Sequence, residues 1–266
     1  MSNDSAQVIA ALILSTDPKT PPLFKSYPDW VTKPPFETDD LRANLTRFLD
    51  TPFQLPDGAP GSLVGNYRWG VYAFFDYDGE PIYVGQTNEQ LRTRIRRHLT
   101  NQRTDAVAMS VLDPFEVFEI AVWPLPQFEG VSPRDKVAAA PAKAHLDALE
   151  RLITADAVAN SHFKAILNEK DPPPGTLEVT APPSYRAGIV SDRVLELRGH
   201  PDFRIARRAL IMSRLAQVIS ERQVKGGLRR VLLTQAKRLE WLAARRYEGV
   251  GGAASVPKEG EGEDEA

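Results

Sequence analysis

Two tyrosines, an arginine and a histidine stand within one stretch of this chain, Gly70 to His98, and their chemistry suits a phosphate. Phenols and imidazoles hold or pass protons, and a guanidinium can give two parallel hydrogen bonds to phosphate oxygens. The four are Tyr72, Tyr83, Arg94 and His98, with Arg92, Arg96 and Arg97 adding positive charge beside them.

The elements that must position them can be read from the same stretch. Val71, Ala73 and Phe75 alternate with Tyr72, Phe74 and Asp76, and Asp78-Gly79 is a two-residue turn that accepts positive φ. The run returns through Ile82, Tyr83 and Val84 to Gly85. With Asp78-Gly79 as the loop, Tyr77 faces Glu80, and counting outward pairs Phe74 with Tyr83 and Tyr72 with Gly85. Tyr72 and Tyr83 are then diagonal neighbours on one face. Gly85 leaves open space opposite Tyr72. A helix follows, with Asn88 as N-cap and Leu91, Ile95 and Leu99 as its buried stripe. Arg94 and His98 lie beside that stripe and project along the edge of the hairpin.

Further on, Phe115 to Val122 is β-prone and reads as a third strand. Pro141 suits the first turn of a helix running to about Asp156, where its missing N–H costs nothing. Leu146, Leu149 and Ile153 form its packing stripe. Glu150 borders that stripe and is placed to reach the hairpin, whereas Asp147 and Arg151 point more toward water.

Gly70-Val71-Tyr72 and Tyr83-Val84-Gly85, followed by Arg94 and His98, resemble the GIY-YIG nuclease superfamily. The resemblance extends from about Trp69 to Leu167. It implies a metal-binding glutamate on a later helix and an asparagine some ten residues on, which Glu150 and Asn160 would supply. It also implies an α/β (α+β) domain with a central three-stranded sheet flanked by helices. One departure stands out: the lysine that commonly follows the second triplet is Gln86 here.

The 266 residues include no cysteine, so disulfides, thiolate zinc sites and cysteine nucleophiles are excluded. A metal would be held by carboxylate oxygen, which favours a hard ion, Mg2+ or Mn2+. The apolar run Val8 to Leu14 is too short to span a bilayer and lacks the basic flank of a signal peptide, so a soluble, cytoplasmic protein without a membrane partner is expected. Net charge is −2, but residues 186 to 248 carry fifteen Arg or Lys against six Asp or Glu, or +9. Such asymmetry fits a polyanion binder.

Four regions are expected. Residues 1–65 form a Pro-rich arm and helix, with Phe24, Tyr27 and Trp30 able to pack the arm; Pro52 to Gly65 reads as loop. Residues 66–170 form the nuclease-like domain. Residues 184–248, after the Pro-rich boundary at 171–183, form a basic helical region. Residues 249–266 are an acidic tail.

Taken with the resemblance, this implies a metal-dependent endonuclease acting on double-stranded DNA. Glu150 would hold the metal, Tyr72 would be the general base with Tyr83 as second phenol and His98 tuning the pair, Arg94 would clamp the phosphate, and Asn160 would brace Glu150. Arg92, Arg96, Arg97, Arg207, Arg208, Arg229 and Arg230 would contact DNA. Restriction or defence, repair and homing settings remain open. The alternative is a non-catalytic nucleic-acid-binding protein on a degenerate scaffold of the same kind.

Overall fold

The computed structural model describes residues 35–55, 57–100, 111–224 and 226–252. The Pro-rich arm with Phe24, Tyr27 and Trp30, the run Val8 to Leu14, Lys225 and all but the first residues of the acidic tail lie outside them. Contacts divide the chain between Asp39 and Asp40, and the unit from Asp40 onward carries both sheets.

The helices are α1 (Phe36–Leu49), α2 (Leu91–Leu99), α3 (Ala140–Asn160), α4 (Asp192–Arg198), α5 (Pro201–Glu221) and α6 (Gly226–Gly249). The strands are β1 (Pro52–Gln54), β2 (Pro60–Leu63), β3 (Gly70–Phe75), β4 (Pro81–Thr87), β5 (Glu119–Pro124) and β6 (Tyr185–Gly188). The main sheet is antiparallel in the order β4-β3-β5-β6. The mixed α/β class is as expected, but the sheet has four strands, since β6 from beyond the Pro-rich boundary pairs with β5. Residues expected as a loop, Pro52 to Gly65, include the antiparallel pair β1-β2. The third strand begins at Glu119, because Pro114–Glu116 forms a short 3-10 turn whose Phe115 N–H donates to Asp113 Oδ1 at 3.0 Å. Likewise α2 starts at Leu91 after Gln90, with no side-chain cap from Asn88.

The central strand β3 is buried on both faces, and its alternation sorts residues into two cores. Tyr72 and Phe74 pack with Leu45 and Phe48 of α1, Leu91 and Ile95 of α2, and Leu215 and Val231 of α5 and α6. Val71 and Ala73 pack on the other side against Leu146, Leu149 and Ile153 of α3. So α2 and α3 lie on opposite faces of the sheet. Side chains from both can meet only around its edge strand, β4.

The hairpin keeps the expected pairs Tyr72–Gly85 and Phe74–Tyr83 by an unexpected route. Asp76 N–H donates to the Glu80 carbonyl at 3.0 Å, and Gly79, at φ 75°, closes the turn back to the Asp76 carbonyl. The loop is therefore three residues, not two, which moves the register by one and pairs Phe75 with Pro81. An irregularity between Phe74 and Phe75 leaves Ile82 as an extra residue and restores the register.

Beyond Pro183 the helices are bound to the hairpin by a buried ion cluster. Asp76, 1% exposed, accepts from Arg208 Nη2 at 2.9 Å, from Arg204 Nη2 at 3.4 Å, and from Arg238. Glu116 accepts from Arg208 Nε at 3.0 Å, and Asp78 from Arg204. Three arginines face three carboxylates. Burial pushes the Glu116 carboxyl above its usual range despite Arg208 and Arg204, and lowers the Arg238 guanidinium. Much of the +9 of residues 186–248 is thus counter-charge to acids that lie far earlier in the chain.

Candidate active site

Tyr72 is wholly buried, and its hydroxyl lies 2.8 Å from His98 Nε2 and accepts from Arg94 Nε at 3.2 Å. The hydroxyl can donate to a neutral His98 Nε2 or accept from its N–H while it accepts from Arg94, so the His98 tautomer sets the direction of that bond. Burial is the main cause that raises the Tyr72 phenol far above its ordinary range, and repulsion from Tyr83 adds to it; the Arg94 guanidinium only partly opposes this. Tyr83 stacks on Phe74 and Tyr72, with ring centroids at 5.8 and 6.2 Å, and its ring is 5.3 Å from that of His98.

The space expected beside Gly85 is filled. A Cβ there would come within 2.5 Å of the Tyr72 hydroxyl and 3.0 Å of the Tyr83 ring. Gly85 is the position that lets the phenol reach the sheet edge.

On the other side of β4, Gln86 turns toward α3. Its Nε2 donates to Glu150 Oε2 at 2.8 Å and to Asp147 Oδ1 at 2.7 Å. Asp147 also accepts from Lys143 one turn earlier. The expectation that Asp147 points toward water is therefore corrected: as the i, i+3 neighbour of Glu150 it shares the same amide. Glu150 is 9% exposed, and burial raises its carboxyl above the usual range, with Asp147 repulsion adding and the Gln86 hydrogen bond opposing.

A cleft of about 410 Å³ wraps the edge of β4 and joins the two sides. Tyr83, Arg94, His98, Gly85, Gln86 and Glu150 line it, and the segment from Asn168 to Pro173 forms the opposite wall. Tyr72 is not among the lining residues; its hydroxyl sits directly beneath Gly85.

Asn160 stands apart. It ends α3, is exposed, and donates to Asp156 Oδ1 at 2.9 Å and to the Asp156 carbonyl at 3.0 Å. Ten residues of helix put it about 15 Å along the axis from Glu150, too far to brace it. The asparagine at the cleft is Asn168, missed in the sequence: its Oδ1 accepts from Val84 N at 3.0 Å and its Nδ2 donates to the Val84 carbonyl at 2.7 Å. With Leu167 N donating to the Ile82 carbonyl at 2.8 Å, this segment finishes the free edge of β4. An asparagine after a helix is too common to signal this role.

Six of the seven arginines expected at DNA have internal partners. Arg92 donates to Asp50 at 2.7 Å, Arg96 to Thr46 Oγ1 at 2.9 Å and Arg97 to Glu89 at 2.7 Å. Arg207 grips Asp113 with two bonds of 2.7 and 2.9 Å, Arg208 belongs to the buried cluster, and Arg230 pairs with Asp171 at 2.8 Å. Arg229 is exposed. The exposed pairs of Arg97 and Arg230 are weak enough to exchange for phosphate, whereas Arg207 is held by buried Asp113 and Arg208 by the buried cluster.

The oxygens here fit the hard divalent ion that the resemblance implies. Glu150 and Asp147 lie side by side, and Gln86 Oε1 is buried with no hydrogen-bond partner. No group of three His, Asp or Glu side chains gathers among the described residues. Among them, too, no helix is long and apolar enough to cross a membrane.

No curated protein and no solved structure matches the chain. The family model described as the GIY-YIG catalytic domain matches residues 68–127, which hold both triplets, Gln86, Arg94 and His98. The hairpin, α2 and β5 of this chain lie within that match and are similar to the GIY-YIG catalytic domain.

Proposed function

We propose that the protein is a metal-dependent DNA endonuclease that hydrolyses phosphodiester bonds in the cleft around β4. The observation that carries this reading is the meeting of Tyr83, Arg94 and His98 from one face of the sheet with Glu150 from the other, around Gly85 and Gln86.

Hydrolysis needs a proton acceptor for the attacking water and positive charge at the phosphate in the transition state. Tyr72 and His98 act as one proton-accepting pair: His98 lines the cleft and takes up the proton, while the Tyr72 hydroxyl, 2.8 Å from His98 Nε2 and held by Arg94 Nε, positions the imidazole. Tyr83, which lines the cleft where Tyr72 does not, orients the water and the phosphate. Arg94 reaches the phosphate with its terminal nitrogens. A divalent cation held by Glu150 would, when bound, offset charge on the non-bridging and departing oxygens. Gln86, at the usual lysine position, keeps a task here because its amide nitrogen holds Glu150 in place before the cation binds. Exposed Arg214, Arg222, Arg229 and Lys237 are among the described cations of the helical region that can meet the duplex.

Incubation of supercoiled plasmid with the purified protein in Mg2+ should give nicked or linear product, and EDTA should prevent it. Equal product with EDTA would exclude the metal-dependent reading.

A further inference from the structure

We infer that Asp147 and the side-chain oxygen of Gln86 join Glu150 in holding the divalent cation, so that this chain has three oxygen ligands on two elements. The inference rests on the nuclease reading above and adds two residues to its metal centre.

The spacing of Asp147 and Glu150 puts both carboxylates on one side of α3, facing β4. One neutral amide nitrogen serves both, at 2.7 and 2.8 Å. The nearest compensating charge is Lys143 on Asp147, with its side chain 45% exposed. Two negative charges, one of them buried, are thus held by an amide and a surface lysine that can swing into water.

Gln86 spends its nitrogen on both acids, while its oxygen is buried and bonded to nothing. Rotation about the Cγ–Cδ bond exchanges the two atoms within the same envelope. Without a cation that rotation sets three oxygens against one another and is unfavourable. With a cation among them it supplies an amide carbonyl beside two carboxylates, a donor set that magnesium and manganese accept. The lone carboxylate expected from the resemblance would bind an ion weakly without DNA. Three oxygens should bind it without DNA.

The test is titration of Mn2+ into the full-length protein without DNA, read by calorimetry or by loss of the free-ion spin-resonance signal. Wild type should bind one Mn2+, Asp147→Asn and Gln86→Leu should each weaken binding at least tenfold, and Glu150→Gln should weaken it further. Thermal melts in EDTA check that each variant is folded; Asp147→Asn, which keeps size and helix, decides alone if Gln86→Leu is not. Unchanged affinity in Asp147→Asn, with loss in Glu150→Gln, would overturn the inference and leave the one-carboxylate nuclease reading intact. Absence of Mn2+ binding by the folded wild type would also overturn it, while plasmid cleavage in Mg2+ would continue to support that reading. Full affinity in Glu150→Gln would overturn both.

Discussion

The hydroxyl of Tyr72 occupies the place that a side chain at Gly85 would need, 2.5 Å from where the Cβ would stand. This contact explains why the strand edge carries glycine beside a buried phenol. It also makes the position sensitive. Gly85→Ala should push Tyr72 off His98 and Arg94, lowering turnover by about a hundredfold, as is common for a misplaced catalytic group. Overpacking should cost about 1–3 kcal/mol in denaturant unfolding. An Ala variant with wild-type turnover would show that the Tyr72–His98 contact is not used.

The buried ion cluster should govern stability and leave DNA affinity alone. Asp76→Ala removes the buried acceptor that Arg204, Arg208 and Arg238 share, and should destabilise by about 3–5 kcal/mol, measured by urea unfolding. Arg208→Met should likewise be unstable. Substituting exposed Arg229 and Lys237 should leave unfolding unchanged and flatten the salt dependence of DNA binding. A steep loss of DNA affinity in a fully stable Arg208→Met protein would contradict this division.

Much of the site is legible in the sequence because it follows local rules. Strand alternation and the Gly85 position give the pairing of Tyr72 and Tyr83, and helical spacing places Arg94 and His98 beside them. The turn is ambiguous, because Asp78-Gly79 suits either a two-residue loop or the end of a three-residue one. The orientation of Asp147 follows from its i, i+3 relation to Glu150, and its distance from the leucine stripe misleads. The basic segment misleads for a different reason. A count of charge along residues 186–248 cannot show that Asp76, Asp113 and Glu116 fold back onto it.

The Glu150 carboxyl predicts a pH dependence. Its folded-state value is raised, chiefly by burial, so the folded protein binds more protons than the unfolded chain above the ordinary glutamate range. Stability from this group is present at low pH and is lost as pH rises through that window. In EDTA, Glu150→Gln should therefore be more stable than wild type at pH 7, and the difference should disappear near pH 4. Thermal melts across that range decide it; a Gln variant less stable at pH 7 would contradict it.

Asn168→Ala should free both backbone groups of Val84 and loosen the wall of the cleft. A loss of about 1–3 kcal/mol is expected for the stranded partners, with a larger fall in cleavage than Asn160→Ala gives. Equal activity in the two variants would remove Asn168 from the account.

The most direct test uses Glu150→Gln on genomic DNA of mixed sequence, which presents a sequence-selective enzyme with many sites. Wild type in Mg2+ should cleave it. The Gln variant should retain DNA binding and be slower by at least about a thousandfold, the several kcal/mol a metal contributes to the transition state. Cleavage by the purified Gln variant at the wild-type rate would contradict the proposal that the cleft around β4 is the catalytic centre.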